Sequence, residues 1–467
     1  MEADLTPPSG ERYRRLSLWW DGLPGDLTVR PGVPGDIEVD VAVVGGGLTG
    51  VWTAYYLNQA DPGLRIAVVE RDVVGFGASG RNGGWCSALF SVSEATLDKA
   101  SGPGAGRRQH LAMQETVREV GRVVAAEGIE CGFVRGGTVV LARTPAQLQR
   151  THAEIAEARS RGIGEDDLAF LSPAEASVRV GATDVLGGTY TPHCAAVDPA
   201  RLVRGLAEVV ERRGVTLYEQ TEVRTIAPGV VTTARGTVRA GTVVRATEGY
   251  TRTLAGHERD LVPVYSLMIA TEPLPDAFWT EAGLAGRETF ADHRHLVIYG
   301  QRTEDGRMAF GGRGAPYHFG STIHPEYDRD AGVHEALRRT LVELFPALAD
   351  AEVTHAWGGP LGIARDWFSS VGIDAATRMA WAGGYVGDGL STTNLAGRTL
   401  RDLILGASTE LTTLPWVNHR SKRWEPEPFR YVGINAGLRL AGTADRAEDR
   451  KGRATWHATA LSKLVGG

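Results

Sequence analysis

The sequence predicts an α/β protein in which a discontinuous Rossmann-type domain carries an inserted α+β, mainly antiparallel domain. The first observation is a strand, a glycine-rich turn, a helix and a second strand in order over residues 39–70. The second is another glycine-rich unit, at 381–389, that leads into a helix far along the chain. The third is a series of strand-like runs between residues 262 and 366. Strands that alternate with helices favour a parallel sheet, whereas consecutive strands favour an antiparallel one.

Composition excludes several classes of protein. The 467 residues are enough for about three domain-sized units. The net charge is -6, so the dense basic face of a nucleic-acid-binding protein is not expected. Cys86, Cys131 and Cys194 are far apart and form no CxxC or CxxH pair, which favours a reducing compartment. The apolar run at 16–20 is too short for a signal peptide, and no run reaches membrane-spanning length. We therefore expect a cytoplasmic protein with no nucleic-acid partner and no membrane insertion.

The first strand, residues 39–44, enters a turn in which Gly45, Gly47 and Gly50 have the spacing GxGxxG. The first glycine permits the tight turn, the second lets the backbone approach a pyrophosphate, and the third allows close packing of the following helix. Glu70 ends the next strand, where a carboxylate can bind an adenosine ribose hydroxyl. The dinucleotide contacts predicted in this region are Gly45, Gly47, Leu48, Thr49, Gly50, Glu70 and Arg71.

The other elements are predicted from hydrophobic periodicity and turn residues. Helices are expected at 109–127, 145–161, 201–213 and 334–345, and through Leu405 after the last glycine-rich unit. Strands are expected at 137–142, 215–218, 241–246, 264–271, 295–299 and 307–311. This order predicts an N-terminal arm (1–36), a nucleotide-binding domain in three segments (37–100, 177–260 and 367–410), a second domain (101–176 and 261–366), and a C-terminal tail (411–467) that packs across the domains and ends in a surface helix.

The loop at 75–84, GFGASGRNGG, follows the dinucleotide motif directly. Here the sequence resembles the D-amino-acid-oxidase-type FAD-dependent oxidoreductases, and most of all the branch that contains gamma-glutamylputrescine oxidoreductase. The resemblance extends over residues 40–406 and implies FAD as the cofactor. It implies that the loop runs past the pyrophosphate and the flavin ring, with contacts at Ala78, Ser79, Arg81, Asn82, Gly83 and Gly84. The residue chemistry agrees, since small residues leave room for a ring and Arg81 and Asn82 supply donors for phosphate or flavin oxygens.

Two later segments resemble other FAD-contacting parts of the same family. Residues 243–250 are similar to the strand that returns to cover the cofactor, and residues 383–390 to the C-terminal flavin segment. The helix that follows the latter can stabilise negative charge at the N1/O2 edge of the flavin through its N-terminus. The additional FAD contacts expected from these segments and their neighbours are Val223, Thr247, Glu248, Gly359, Gly384, Gly387, Asp388, Gly389, Leu390, Ser391 and Thr392. No cysteine aligns with an attachment position of the covalent flavoproteins, so non-covalent FAD is predicted.

The chemistry predicted for the flavin is oxidation of a small amine. The chain has no second GxGxxG between a strand and a helix, so the substrate itself, rather than NAD(P)H, is expected to reduce FAD. Hydride transfer from the carbon next to the amine to flavin N5 would give an imine that water hydrolyses, and electrons would pass to O2 or a carrier. The amine must be neutral to give up hydride, so an apolar pocket with aromatic walls is expected.

The candidate substrate residues are aromatic side chains and two arginines. Arg313 or Arg365 could bind a substrate carboxylate through its guanidinium fork. The catalytic residues predicted are Trp85, Arg313, Tyr317, His318 and Trp357, with Tyr265 and Tyr299 as further candidates for the pocket wall. Two alternatives stay open: oxidation of a 2-hydroxy acid or alcohol, for which His318 is the available base, and a flavin-binding protein without turnover. His293 and His295 lack companion ligands in the sequence, so no metal site is predicted.

Overall fold

The structure is a computed structural model that describes residues 10–451. Residues 1–9 of the predicted arm and 452–467 of the predicted tail lie outside the described residues. The rest of the arm belongs to the folded body, since Tyr13, Trp19 and Trp20 are buried. The Trp19 indole N–H also donates to the carbonyl oxygen of Asn82 at 2.8 Å, so the arm contacts the loop at 75–84.

The helices and strands alternate along the chain. The strands are β1 (Ile37–Val44), β2 (Ile66–Val69), β3 (Trp85–Ser87), β4 (Thr138–Ala142), β5 (Ala169–Leu171), β6 (Gly187–Thr191), β7 (Cys194–Ala196), β8 (Thr216–Tyr218), β9 (Val223–Ala227), β10 (Val230–Thr233), β11 (Thr237–Arg245), β12 (Val262–Thr271), β13 (Thr289–Asp292), β14 (Ile298–Arg302), β15 (Met308–Arg313), β16 (Val353–Ile363), β17 (Ser370–Asp374) and β18 (Met379–Gly383). The helices are α1 (Leu18–Asp21), α2 (Leu48–Ala60), α3 (Glu94–Ser101), α4 (Ala105–Glu127), α5 (Pro145–Ser160), α6 (Pro173–Arg179), α7 (Pro199–Arg212), α8 (Asp276–Ala282), α9 (Ala331–Leu344), α10 (Gly389–Leu405) and α11 (Phe429–Lys451).

The first sheet is the predicted Rossmann-type sheet, in the order β17-β18-β11-β1-β2-β8. β18, β11, β1, β2 and β8 are parallel to their neighbours, while β17 and the β9–β10 hairpin pair antiparallel. The central strand β1 is buried on both faces, with Val41 to Val44 at most 2% exposed, as expected for a strand covered by helices. The carboxyl ends of β1, β2 and β11 therefore meet at one edge of the sheet.

The second sheet is mainly antiparallel, in the order β16-β12-β15-β14-β13-β4-β6-β5. Only the β13–β4 pairing within it is parallel. A separate core of aromatic and aliphatic side chains lies beneath it, including Phe290, Phe310 and Leu341. The predicted fold class, a discontinuous Rossmann-type domain with an inserted, mainly antiparallel α+β domain, is confirmed.

Three boundaries differ from the prediction. The strand expected at 295–299 is wrong by three residues, because residues before Ile298 form a loop held by the tail. β6 lies in a segment assigned to the nucleotide-binding domain but pairs with β4 and β5 of the second sheet. α4 lies in a segment assigned to the second domain, yet its Met113 and Val117 are buried in the core of the first. Pairing between distant segments is not encoded in local periodicity, so sequence order alone misplaces them.

The tail contacts both parts of the molecule, and α11 is its described helix. Asp445 accepts hydrogen bonds from the backbone N–H groups of His295 (2.7 Å) and Leu296 (2.9 Å). Glu448 is paired with Arg150 at 2.7 Å and with His295 at 3.1 Å. His295, Asp445 and Glu448 lie close enough together to be compared with a metal site, but Arg150 already supplies the positive charge there. Among residues 10–451, no helix combines the length and apolar character that a bilayer span requires.

Candidate active site

A cleft runs along the carboxyl ends of β1, β2 and β11, where the glycine turn is folded as the spacing predicts. A side-chain carbon at Gly45, which has φ +110, would collide with the backbone oxygen of Ala246. One at Gly50 would collide with the backbone oxygen of Gly45, so Gly50 permits the close approach of α2 rather than lining the cleft. The backbone N–H of Leu48 donates to Ser79 Oγ at 2.8 Å, which joins the start of α2 to the following loop.

Two buried carboxylates hold the cleft walls. Glu70 accepts the backbone N–H groups of Gly46 (2.8 Å) and Asp72 (3.0 Å), and burial raises its pKa to about 7. Glu248 accepts N–H groups from three residues of the neighbouring segments, and burial raises its pKa to about 7 as well; the donors are Gly362 (3.2 Å), Gly384 (2.8 Å) and Tyr385 (3.3 Å). Glu248 therefore ties β11 to β16 and to the segment that precedes α10.

The loop at 75–84 has a self-bonded shape. The Asn82 side-chain amide donates to the carbonyl oxygens of Ala78 (3.0 Å) and Ser79 (3.2 Å), while its oxygen accepts the N–H of Gly84 (2.8 Å). Asn82 lines the cleft, but its polar atoms shape the loop.

Arg81 departs from its predicted role. Its guanidinium is buried and pairs with Asp328 at 2.7 Å, and it also donates to Tyr250 Oη (2.9 Å) and the Gly358 oxygen (3.1 Å). Burial opposes the charge, but the pKa of Arg81 is raised because Tyr250 and Asp328 outweigh burial. The expectation that Arg81 donates to phosphate or flavin oxygens is thus not supported by this geometry, since its donors are engaged by the protein.

Most of the predicted cofactor residues meet along this cleft. Those that line it are Gly45, Gly47, Leu48, Thr49, Glu70, Arg71, Ala78, Ser79, Asn82, Val223, Thr247, Glu248, Gly387, Gly389 and Leu390. Five others line neither this cleft nor the adjoining cavity: Gly50, Gly84, Gly384, Ser391 and Thr392. The hydroxyls of the last two are used within the protein, Ser391 on the oxygen of Ser87 and Thr392 on that of Asp388. Sequence reasoning missed Thr221, Tyr250, Tyr385 and Thr393, which also line the cleft.

A second cavity, of about 340 Å³, adjoins the cleft. The residues common to both linings are Ala78, Asn82, Leu361, Gly387 and Leu390, so the two spaces meet there. The wall is largely apolar, with Val140 and Ile298 on strands of the second sheet and Trp85 on β3. Trp85 meets Tyr299 edge to face, with ring centroids 6.1 Å apart, and the Tyr299 hydroxyl bonds to Ser266 Oγ at 2.8 Å. The cavity thus has the apolar, aromatic wall expected for a small substrate.

Two opposite charges lie where the cavity meets the cleft. Arg313, at the end of β15, donates to the backbone oxygen of Val386 and lies over the Trp367 ring, 5.5 Å from its centroid. Burial lowers its pKa. Asp388 precedes α10 and makes no side-chain cap to that helix. Burial raises the pKa of Asp388 to about 6, although the charge of Arg313 opposes this shift. Asp388 was predicted as a cofactor contact, but it lines the second cavity, as do Arg81, Gly83 and Gly359.

Of the five predicted catalytic residues, Trp85 and Arg313 line the cavity and the other three do not. Tyr317 is buried away from it, with its hydroxyl on Ser321 (2.7 Å) and Glu427 (3.0 Å). His318 stacks on Tyr327 at a centroid distance of 3.4 Å. β15 ends at Arg313, and the positive φ of Gly314 (+137) turns the chain away before these two residues.

The remaining candidates also lie outside the cavity. Trp357 donates its indole N–H to the backbone oxygen of Arg81 at 2.9 Å and so supports the loop from behind. Tyr265 belongs to the core under the second sheet. Arg365 pairs with Glu425 at 2.9 Å, and both side chains are more than a third exposed. Of the two arginines proposed for a substrate carboxylate, only Arg313 lines the cavity.

The far lining of the cavity contains polar residues that sequence reasoning missed. They are His110 on α4, Glu154 on α5, and Asp167 and His193 on two turns. His193 Nε2 lies 2.8 Å from Asp167 Oδ1, and the His193 Nδ1 atom is buried with no hydrogen-bond partner among the described residues. No motif connects these separated positions, so nothing in the sequence indicates that they meet.

The cysteines lie elsewhere. Cys86, Cys131 and Cys194 are free and buried, and none lines the cleft or the cavity. The thiol nearest to the flavin-like loop in sequence, Cys86, has its pKa raised by burial. A buried thiol of this kind is not reactive as a thiolate.

A dinucleotide cleft that opens on a closed apolar cavity defines the protein as a flavoenzyme of two-domain architecture. The chain belongs to the family described as "FAD dependent oxidoreductase" (DAO), whose profile matches residues 40–403. It is 31% identical to "Probable oxidoreductase OrdL" of Rhizobium meliloti, over 85% of this chain and 90% of that protein. It is 29% identical to "Gamma-glutamylputrescine oxidoreductase" of Escherichia coli, over 85% and 91%.

A solved structure shows the same fold. Glycine oxidase from Geobacillus kaustophilus superposes with a TM-score of 0.69, 23% identity, and coverage of 82% of this chain and 99% of that chain. Membership of the family makes this chain an FAD-dependent oxidoreductase, and the cleft fits FAD. The glycine turn leaves space that any side chain would fill, and the cleft extends from Glu70 to Gly387 at the entrance of the cavity.

Proposed function

We propose that this enzyme oxidises a small amine, such as an amino acid, a secondary amine or a polyamine derivative. The observation that carries the proposal is the cavity itself, an apolar space with Arg313 and Asp388 at its junction with the FAD cleft. Relatives named gamma-glutamylputrescine oxidoreductase and sarcosine oxidase subunit beta are amine oxidoreductases by name, which supports the same class. Electrons then pass to O2 or to a carrier.

The cleft residues divide by position along FAD. The turn from Gly45 to Gly50 and the N-terminus of α2 would hold the pyrophosphate, because the helix dipole and free N–H groups favour anions there. Glu70 would bind the ribose. Gly387 to Leu390 and the N-terminus of α10 would contact the flavin ring beside the cavity. When bound, FAD supplies the hydride acceptor for oxidation of the substrate.

The residues of the cavity would prepare the amine. An amine enters mainly as its ammonium form, and ionised Asp388 would bind that charge at the junction with the cleft. The apolar walls disfavour the ammonium form, so a proton can pass from the amine nitrogen to the Asp388 carboxylate and leave the neutral amine that oxidation requires. Arg313 would hold a substrate carboxylate, if there is one, through two parallel N–H bonds. The imine product leaves the carbon–nitrogen bond to hydrolysis by water.

The free, buried state of all three cysteines supports a cytoplasmic location as part of the same proposal, since thiols persist in a reducing compartment. Nothing in the cavity selects between O2 and a carrier as the acceptor, and both stay within the proposal.

The decisive experiment follows flavin absorbance while amines, amino acids and hydroxy acids are added without oxygen. Bleaching by amines is the expected result. Bleaching by hydroxy acids alone would contradict the proposal in favour of alcohol oxidation, and no bleaching by any compound would favour a flavin-binding protein without turnover.

The role of Arg313 is tested by pairing each amino acid with the amine that lacks its carboxylate. Arg313→Ala should raise the KM of the amino acid by about 30-fold or more, since losing a buried charged hydrogen-bond partner costs ~2–5 kcal/mol. The decarboxylated amine should be affected much less. Arg365→Ala, at an exposed arginine outside the cavity, is the control and should change neither KM.

A further inference from the structure

The charged residues that line the substrate cavity are unevenly distributed. Arg81 is neutralised by Asp328 behind the wall, and Arg313 and Asp388 lie together at the junction with the FAD cleft. The far lining contains Glu154 and Asp167 but no lysine or arginine, among the residues that the structure describes. The far end is therefore negative, while the wall between the two ends is apolar.

The acidic groups at the far end have unused hydrogen-bonding capacity. Asp167 Oδ1 accepts His193 Nε2 at 2.8 Å and Gln114 Nε2 at 3.3 Å, while Oδ2 has no hydrogen bond among the described residues. Glu154 makes only long contacts, 3.5 Å to Thr189 Oγ1 and 3.4 Å to His293 Nε2. Both carboxylates can therefore accept further N–H groups.

His193 supplies a second, independent observation. Its side chain is only 7% exposed and lines the cavity. Nε2 is used on Asp167, but the buried Nδ1 has no partner within residues 10–451. A buried polar atom without a partner is costly, and a ligand that bonds to it removes that cost. With Nε2–H donating to Asp167, Nδ1 is an acceptor, so it suits an N–H group of a ligand.

Charges behind the wall do not reverse this character. Arg107 acts on Asp167 and on His110, one turn away on α4, but it does not line the cavity. Glu94 lies beside Arg107 and opposes its charge, and Glu94 itself contacts His110 Nδ1 at 3.4 Å. The groups that a ligand would meet are the two carboxylates and the imidazoles.

We propose that Asp167, Glu154 and His193 form a subsite for a second, cationic nitrogen of the substrate, so that the substrate is a diamine or a diamine derivative that keeps a free ammonium group. The nitrogen to be oxidised lies at the end with Asp388, the carbon chain lies along the apolar wall, and the second ammonium group lies among these three residues. A substrate with a carboxylate at the far end is disfavoured, because Asp167 and Glu154 repel it. This inference rests on the proposed amine oxidation and names its substrate class.

The test measures binding without turnover, by calorimetry on the FAD-loaded enzyme. The probe is a straight-chain diamine in which each amino-bearing carbon carries two methyl groups. These carbons have no hydrogen, so the probe cannot be oxidised. Its matched partner is the monoamine that lacks one of the two amino groups. We expect the diamine to bind about tenfold more tightly or better, since hydrogen bonds to charged groups contribute enough for one such factor.

The variants change the charge and keep the shape. Asp167→Asn with Glu154→Gln should bring the ratio of the two affinities close to one, while the asparagine oxygen can still accept from His193. Glu154→Gln alone, at a side chain that is 42% exposed, should lower the ratio without endangering the fold. Glu157→Gln is the control, because Glu157 lies one turn away on α5, is 59% exposed and does not line the cavity. Glu154→Arg should shift the preference toward the analogue with a terminal carboxylate.

Equal affinity of the wild-type enzyme for diamine and monoamine overturns the subsite, as does a ratio that survives in the double variant. A tight, charge-dependent diamine site in an enzyme whose flavin no amine bleaches would refute amine oxidation and leave the subsite standing. The two proposals therefore fail by different measurements.

Discussion

At the scale of single residues, the site depends on which buried charges have a partner inside the protein. Arg81 is satisfied by Asp328 and Tyr250, and Glu248 by three backbone N–H groups. Asp388 has no such partner: its carboxylate lines the cavity near Arg313 and makes no cap to α10. An ionisable group with a shifted pKa that faces a cavity is a candidate for function.

The pH dependence of the reaction should report Asp388. Burial raises the pKa of this carboxyl to about 6, so it is ionised above that pH and neutral below it. As the pH falls through about 6, kcat/KM for flavin reduction should drop by about tenfold per pH unit, because the charge that holds the ammonium group is lost. Free amines stay protonated through this range and add no slope of their own.

Asp388→Asn should abolish that acidic limb and lower kcat/KM at neutral pH, and the measurement is a set of single-turnover reductions from acid to neutral pH. An unchanged limb in the variant would show that another group titrates. Asp374→Asn, an acid-to-amide change on β17 outside both the cleft and the cavity, should keep the limb.

At the scale of helices and strands, close packing of α2 and α10 places both of their N-termini at the cleft. Gly397 lies in the middle of α10, and a side-chain carbon there would meet the backbone carbon of Trp52 at 2.8 Å. Trp52 is itself completely buried on α2. The glycine lets the two helices approach closely, so it serves the packing of the helices although it lies in neither cleft nor cavity.

Two helical glycines form a matched pair for this point. Gly397→Ala should lower the free energy of unfolding by about 1–3 kcal/mol, because an added methyl group overpacks the contact with α2. Gly433→Ala, on the exposed start of α11 with nothing within 4 Å, should be neutral or stabilising by up to ~1 kcal/mol. Urea unfolding of both variants distinguishes packing from helix propensity. Equal effects of the two changes would contradict the packing role.

At the scale of the whole molecule, the chain termini hold the two sheets together. Residues of the arm pack against the loop at 75–84, and α11 binds the β13–β14 connection through Asp445. The tail therefore reaches the second sheet near the elements that line the cavity. It has no residue in the cleft or the cavity within the part of the chain that is described.

Asp445→Ala should expose the backbone N–H groups of His295 and Leu296 to exchange. A hydrogen bond to a charged acceptor contributes ~1.5–3 kcal/mol, so exchange in the peptide covering 293–297 should accelerate by about tenfold or more. Hydrogen–deuterium exchange followed by mass spectrometry measures this. Arg446→Ala, at an exposed neighbour on the same helix, is the control. Unchanged exchange at 293–297 would show that the tail does not hold this loop.

The cofactor should be released when the whole protein is denatured. Every described cysteine is buried outside the cleft, so no thiol is placed to attach to the flavin. After acid precipitation the yellow colour should remain in the supernatant, and a yellow pellet would refute non-covalent binding. Removing FAD should also lower Tm, since a ligand that binds only the folded state stabilises it in proportion to its occupancy.

The sequence by itself determined the features that short stretches of chain encode. Gly45, Gly47, Gly50 and Glu70 belong to one strand–helix–strand unit, and their roles in the turn and at the strand end follow from backbone geometry over about 30 residues. The loop at 75–84 and the segment before α10 were identified in the same way, and most of their predicted contacts line the cleft.

Only the tertiary structure decided which charges are used by the protein and which remain for a ligand. Asp328 takes up Arg81, and a glycine after β15 turns Tyr317 and His318 away from the cavity. The far lining brings together Glu154, Asp167 and His193 from separate elements. The physical reason is that a local pattern specifies backbone conformation, whereas burial and charge pairing depend on long-range packing between segments whose proximity no spacing in the sequence reveals.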